Sequence, residues 1–190
     1  TQKRTISTKG SLGEFDFSLG VNLSDRLYLG ATMGVQRVNY SEVWDHSESD
    51  PDDVINYFEG FSYRNSLTTS GSGVNFKLGL LARPLDFLRI GASVQTPTVL
   101  SLDDNFRSTM STDLNDGLET HTYDASGDYD YSITTPFKAT GSIALIFQQF
   151  GLISLDYEYV DYSSGRLRAT DSDFFNENEA VSQRYKPASN

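Results

Sequence analysis

The chain has no cysteine among its 190 residues, which excludes disulfides, thiolate nucleophiles and zinc-thiolate centres. Positive charge is scarce: 15 Lys and Arg stand against 26 Asp and Glu, a net charge of -11. A nucleic-acid partner requires clustered cations, so nucleic acid is set aside. No apolar run approaches the length of a transmembrane helix, and the opening "TQKRTISTKG" has no apolar core of the kind a signal peptide carries. Histidine occurs only at His46 and His121, in separate expected loops. With no Ser-His-Asp order, no Gly-rich phosphate loop and no paired catalytic carboxylates, neither an enzyme nor a cofactor is expected.

What is present is aromatic and two-faced. Aromatic residues make up 13% of the chain, Gly numbers 15 and charged residues 22%, a composition that folds rather than one that stays disordered. The length fits a single domain over residues 1–190. A mean hydropathy of -0.41 resembles that of a soluble protein. A membrane β-barrel reaches the same value, because only alternate residues of its strands meet lipid.

Period-two alternation predicts six strands, near 11–23, 27–40, 73–83, 88–100, 131–147 and 152–162. In the first, Phe15, Phe17, Leu19, Val21 and Leu23 share one face, and Glu14, Asp16, Ser18, Gly20 and Asn22 the other. In the third, Val74, Phe76, Leu78 and Leu80 oppose Asn75, Lys77, Gly79 and Leu81. The connections "LSDR", "PLDF" and "QQFG" are short enough for hairpins, and long polar loops are expected at 41–72, 103–130 and 163–190. Strict alternation of short and long connections predicts an all-β, antiparallel, up-and-down transmembrane β-barrel, with short turns on one side and long loops on the other. A soluble β-sandwich or lipocalin-like barrel, acting as a ligand-binding or adhesin-like module, stays open, since period two marks a half-buried sheet and not lipid as such.

Within the first long loop, "ESDPDDVINYFEGFSY" carries a helix signature: Asp50 to cap, Pro51 at the first helical position, and Asp52 and Asp53 at the positive end of the dipole. Val54, Tyr57, Phe58 and Phe61 then follow at helical spacing, giving one apolar face. Acidic residues Asp50, Asp52, Asp53, Asp171 and Asp173 invite a calcium reading, but neither cluster has the twelve-residue loop with a central Gly and a terminal Glu, so no metal is expected.

The stretch "LRIGASVQTPTVLSLDDNF" resembles the FadL-type outer-membrane transporters of hydrophobic compounds, the long-chain fatty-acid or toluene transporter family. The residues that carry the likeness are Leu88, Arg89, Ile90, Gly91, Ala92, Ser93, Thr96, Pro97, Leu102 and Phe106. "GSGVNFKLGLLARP", "TTPFKATGSIALIF" and "SLDYEYVDYSS" are similar to the neighbouring strands of that family. The resemblance implies a barrel of about fourteen strands with an N-terminal hatch, of which this chain is expected to be a central, six-stranded section. It also implies a bacterial outer-membrane location and passive uptake of hydrophobic small molecules such as long-chain fatty acids. Outer-membrane lipid and the hydrophobic substrate are then the partners. The alternative is a structural or secretion-shuttle barrel whose loops bind a protein partner.

Under this reading Val54, Tyr57, Phe58 and Phe61 form a hydrophobic capture groove, or else dock their loop onto its neighbours. Arg37, Lys77 and Lys138 are the cations on or near the polar faces, placed to meet a carboxylate headgroup. The competing role for such a cation is a salt bridge to an acid such as Glu14 or Asp16.

Overall fold

The computed structural model describes residues 1–52, 54–55, 57–114, 120–147, 149–169 and 174–185. Within these lie strands β1 (Gln2–Asn22), β2 (Leu27–Ser49), β3 (Gly60–Leu85), β4 (Leu88–Gln95), β5 (Val99–Asp113), β6 (His121–Thr134), β7 (Lys138–Ile146), β8 (Leu152–Val160) and β9 (Arg166–Ala169). A 3-10 turn at Tyr162–Ser164 and one helix, α1 (Phe175–Arg184), complete the described elements. The protein is all-β, with an antiparallel sheet in which β8, β7, β4, β3, β5, β6 and β9 follow one another, β2 adds to β3, and β1 adds to β2. The sheet does not close on itself among the described residues. Two compact units divide the chain: unit 1 holds Thr1–Leu12, Val38–Gly71 and Leu102–Asp130, and unit 2 holds Gly13–Arg37, Ser72–Ser101 and Tyr131–Asn190.

In unit 2 the expected hairpins form, each for a local reason. At the first, the Asn22 carboxamide accepts the amides of Ser24 (3.2 Å) and Asp25 (2.8 Å), which lets Asp25 adopt a left-handed φ of 56°. At the second, Leu85 faces Leu88 and the register slips between Ala82 and Leu85, where Pro84 has no N–H to give the ladder. At the third, Phe147 N–H bonds Gly151 C=O at 2.8 Å, and Gly151 takes a φ of +148° that a side chain would resist.

Alternation then sorts the side chains of unit 2 onto two faces. Phe15, Phe17, Leu19, Leu29, Met33, Phe76, Leu78, Ile90, Val94, Ile143 and Leu155 are large, apolar and exposed. The opposite face is built from Glu14, Asp16, Lys77, Gln95, Ser93, Thr140 and Lys138, with small residues between. The protein is inverted relative to an ordinary soluble domain: among the described residues the one buried hydrophobic side chain is Leu102, whereas Asn75 and Thr98 are each 1% exposed.

The strands expected over 88–100 and 131–147 are each broken by a proline. Pro97 separates β4 from β5, and Pro136 separates β6 from β7. Threonine hydroxyls supply the ladder at the break: Thr96 Oγ1 accepts Phe76 N–H (2.9 Å), and Thr135 Oγ1 accepts Thr98 N–H (2.8 Å). Lys77 lies opposite Gln95, yet Asn75, two residues earlier, bonds Thr98, three residues later. One extra residue has entered, as in a β-bulge, and the polar face passes from odd to even positions. Thr98 still faces Thr135, as Gln95 faces Lys138, so the facing strand takes the same extra residue.

Unit 1 corrects the long loops expected at 41–72 and 103–130. β2 continues to Ser49, β3 already begins at Gly60, β5 continues to Asp113 and β6 begins at His121. Both faces of these segments are polar, so the alternation by which a strand is recognised is missing. Cross-strand polar pairs hold them instead: Gln2 with Glu48 (2.8 Å), Thr69 with Asp104 (2.5 Å), Asn105 with Asp128 (2.5 Å), Thr109 with Asp124 (2.5 Å) and Ser111 with Thr122 (2.8 Å). The loop expected at 163–190 likewise contains most of the 3-10 turn, β9 and α1; residues 170–173 and 186–190 lie outside the described residues.

Candidate functional site

On the polar face of unit 2, Gly34 creates the space in which a charged network sits. A methyl group at this position would overlap the Glu14 carboxylate and press on the Asn75 amide. With the space open, Asn75 Nδ2 donates to Glu14 Oε1 (2.9 Å) and to Thr98 Oγ1 (3.2 Å). Lys77 Nζ lies 3.1 Å from Glu14 Oε1 and 3.1 Å from Asp16 Oδ1. Lys77 thus takes the salt-bridge role with both acids named for it from sequence. Asn75 is almost fully buried, and its Oδ1 has no partner among the described residues, so the network is anchored on its donor side only.

Lys138 stands on the same face. It lies opposite Gln95, which in turn lies opposite Lys77, so the two lysines are two strands apart in one row, about 10 Å by strand spacing. On its other side Lys138 faces Val160. Among the described residues its ammonium has no ion-pair partner, and it is the free cation of this row. Arg37 is not part of the group. The Ser18–Thr32 hydroxyl pair (2.9 Å) fixes the even positions of β2 on the polar face, and Arg37, at an odd position, is exposed on the face of Leu29 and Met33. Of the three cations named from sequence, Lys77 is therefore paired, Lys138 has no ion-pair partner among the described residues, and Arg37 lies on the other face.

The apolar face of unit 2 has a groove of about 540 Å³, walled by Leu19, Val21, Leu29, Leu78, Leu80 and Val94 and floored by Ala31 and Ala92. Large side chains at the rim and small ones at the base make the concavity.

In unit 1 the helix expected at "ESDPDDVINYFEGFSY" does not form among the described residues. Asp50 caps no helix among the described residues: its carboxylate accepts the Ile55 amide (2.6 Å), five residues on, rather than an amide two or three residues on. Phe58 N–H then bonds Ile55 C=O (3.2 Å), Tyr57 adopts a left-handed φ of 67°, and Phe61 enters β3. Val54 and Tyr57 are left open to solvent, at 78% and 70% exposure. Asp53, Asp171 and Asp173 lie outside the described residues.

Phe58 and Phe61 do come together, at 6.5 Å between ring centroids, and they join a row that sequence reasoning missed. Phe61 tilts against His46 (5.5 Å), His46 lies nearly parallel to Trp44 (6.1 Å, 12°), and Tyr63 meets Trp44 edge-on (5.1 Å). The Arg4 guanidinium rests over the Trp44 ring at 4.8 Å, a cation–π contact. His46, expected as loop surface, is half-buried in β2 and held by Glu48 at 3.0 Å. The signal for this row was present as Trp44, His46, Phe61 and Tyr63 at alternate positions of two strands, but it fell inside segments whose polarity marks them as loops. His121 begins β6 and is exposed.

No protein-family profile matches the chain, and no curated protein matches it.

Proposed function

We propose that the chain forms part of the wall of an outer-membrane β-barrel that passes hydrophobic small molecules such as long-chain fatty acids. The observation that carries this reading is the inversion of unit 2: a continuous exposed apolar face backed by a polar network centred on the buried Asn75 and Thr98. Such a face left in water would drive aggregation, and lipid is the solvent that suits it. Its apolar segments, such as Phe15–Leu23 and Val74–Ala82, are nine residues long, close to the roughly nine to eleven residues with which a tilted strand spans a bilayer. At the alternate positions of unit 1 the corresponding residues are Lys3, Thr5, Ser7, Lys9, Ser62, Arg64, Ser66 and Thr68, which suit water. The resemblance of Leu88–Phe106 to the FadL-type transporters supports the same assignment.

In this reading the polar face of unit 2 looks into the lumen, where Lys138 offers its ammonium to an acidic headgroup while Lys77 is retained by Glu14 and Asp16. The aromatic row from Phe58 to Trp44 provides the capture surface in place of the helix face expected from sequence. Uptake requires no bond to be made or broken. The test is to express the full-length protein, separate membrane from soluble fractions, and identify bound lipids by mass spectrometry. Membrane recovery with a copurified fatty acid supports the reading, whereas folded protein in the soluble fraction overturns it.

A further inference from the structure

Side-chain pairing of Gln2 with Glu48 (2.8 Å) and the bond from Ser49 N–H to Thr1 C=O (2.9 Å) set the register of β1 on β2, in which Arg4 stands opposite His46. The Arg4 guanidinium reaches from there to Trp44, on the side of His46 away from Glu48, and its Cζ lies 4.8 Å from the indole centroid. The acids on the same alternation of β2 are engaged elsewhere. Glu48 meets His46 at 3.0 Å and Gln2 at 2.8 Å, and Glu42 accepts the Tyr40 hydroxyl at 2.8 Å. Arg4 is exposed and has no ion-pair or hydrogen-bond partner for its side chain among the described residues.

Arg4 therefore stands at one end of a graded row. Ring follows ring from Trp44 to His46 (6.1 Å), Phe61 (5.5 Å) and Phe58 (6.5 Å), each of them half-buried. One end is ionic and the other is hydrocarbon. The contact with Trp44 engages the charge of the guanidinium and none of its N–H donors, which stay available to a planar acceptor such as a carboxylate. The chain as a whole carries -11, so an anion is held here by local donors and not by the long-range field.

We propose that Arg4 is the headgroup site of this row: it binds the carboxylate of a long-chain acid whose hydrocarbon chain lies over His46, Phe61 and Phe58. The surface then selects ionised amphiphiles over neutral ones of equal length. This inference deepens the capture role given above to the aromatic row and rests on it. Trp44 acts as the platform that positions the guanidinium, and the phenylalanines supply apolar contact without regard to the headgroup.

The test uses the full chain in detergent near neutral pH, with a pyrene-labelled long-chain fatty acid and its methyl ester as probes. The parent chain is expected to bind the acid about tenfold more tightly than the ester, the scale of one charge-assisted hydrogen bond. Arg4→Gln is expected to weaken the acid about tenfold and leave the ester unchanged, whereas Arg4→Lys retains most of the preference. Lys3→Gln, at the neighbouring cation on the opposite alternation of β1, is expected to change neither probe. A role for Arg4 in holding β1 alone would lower the thermal midpoint of Arg4→Gln and weaken acid and ester alike, which overturns the inference. Equal binding of acid and ester by the parent overturns it as well, and needs no variant to fold. Both results leave the capture surface itself standing; binding of neither probe to the parent overturns the capture role and this inference together.

Discussion

Lys77 Nζ stands 3.1 Å from Glu14 Oε1, and both side chains are 29% exposed. The pair is shielded on the polar face, and the ammonium also holds Asp16 at 3.1 Å. Removing the cation leaves two like charges facing one another with no counter-charge. Lys77→Met is expected to destabilise the folded form by about 1–3 kcal/mol. Adding Glu14→Gln should return more than half of that loss, read as the thermal midpoint in detergent. Lys138→Met, at the free cation, is expected to change stability by less than about 0.5 kcal/mol and to reduce fatty-acid retention.

Gly34 is the position whose missing side chain makes room for the network. Gly34→Ala forces the Glu14 carboxylate or the Asn75 amide to move, and Gly34→Val more so. Overpacking of this kind costs about 1–3 kcal/mol. A denaturant midpoint unchanged in Gly34→Val would contradict the packing described.

The apolar face of unit 2 makes a positional prediction. Phe17→Arg, within the nine-residue apolar segment of β1, is expected to cost about 2–4 kcal/mol of folding in bilayers. Ser7→Arg, ten residues earlier on β1 and on the same alternation, is expected to cost almost nothing. Equal behaviour of the two in liposome folding assays would argue against a lipid-facing band that ends near Phe15.

The aromatic row predicts where capture is sensitive. Trp44 touches His46, Tyr63 and Arg4, so Trp44→Ala removes the centre of the surface and should weaken binding of a fluorescent fatty acid roughly tenfold. Val54→Ser, at a residue 78% exposed, should leave it unchanged. The reverse ranking would return the capture role to the loop.

Asp103 and Asp130 meet in unit 1, and the hydrogen bond with Asp130 holds the Asp103 carboxyl above the usual aspartate value, aided by the charges of Asp130, Asp128 and Asp104. A raised acid favours the folded state while protonated. Its contribution is present below the ordinary aspartate pKa of about 3.9 and is lost as pH rises through the raised folded value. Asp103→Asn is therefore expected to flatten the decline in stability on the alkaline side of that window, measured as thermal midpoint against pH from about 3 to 7.

The sequence was most legible where one face of a strand is apolar. β1 from Phe15, β2 to Val35 and the adjoining parts of β3, β4, β7 and β8 follow from alternation alone, as do the three hairpins. The extensions of β2, β3, β5 and β6 in unit 1 were hidden, because Thr69 facing Asp104 or Asn105 facing Asp128 stabilises a strand without any difference in polarity between faces. The helix signature at Asp50 failed from its first step: the carboxylate reached Ile55 instead of an amide two or three residues on, and Tyr57 turned left-handed. Of the candidate site, the Lys77 salt bridges were readable from parity within one strand.

The breaks at Pro97 and Pro136 have a consequence for how this sheet can change over generations. Each inserts one residue, so a reader carrying odd and even across either proline assigns every later side chain to the wrong face. Because Thr98 still meets Thr135, the two insertions work as paired frameshifts that cancel in register while inverting the code on both strands. A one-residue deletion at either break alone turns a half-strand inside out; the same deletion made in both leaves them aligned with each other and out of phase with β3. Drift in length here is confined to edits that also restore the phase with β3, as in a zip fastener whose teeth must mesh along every row at once.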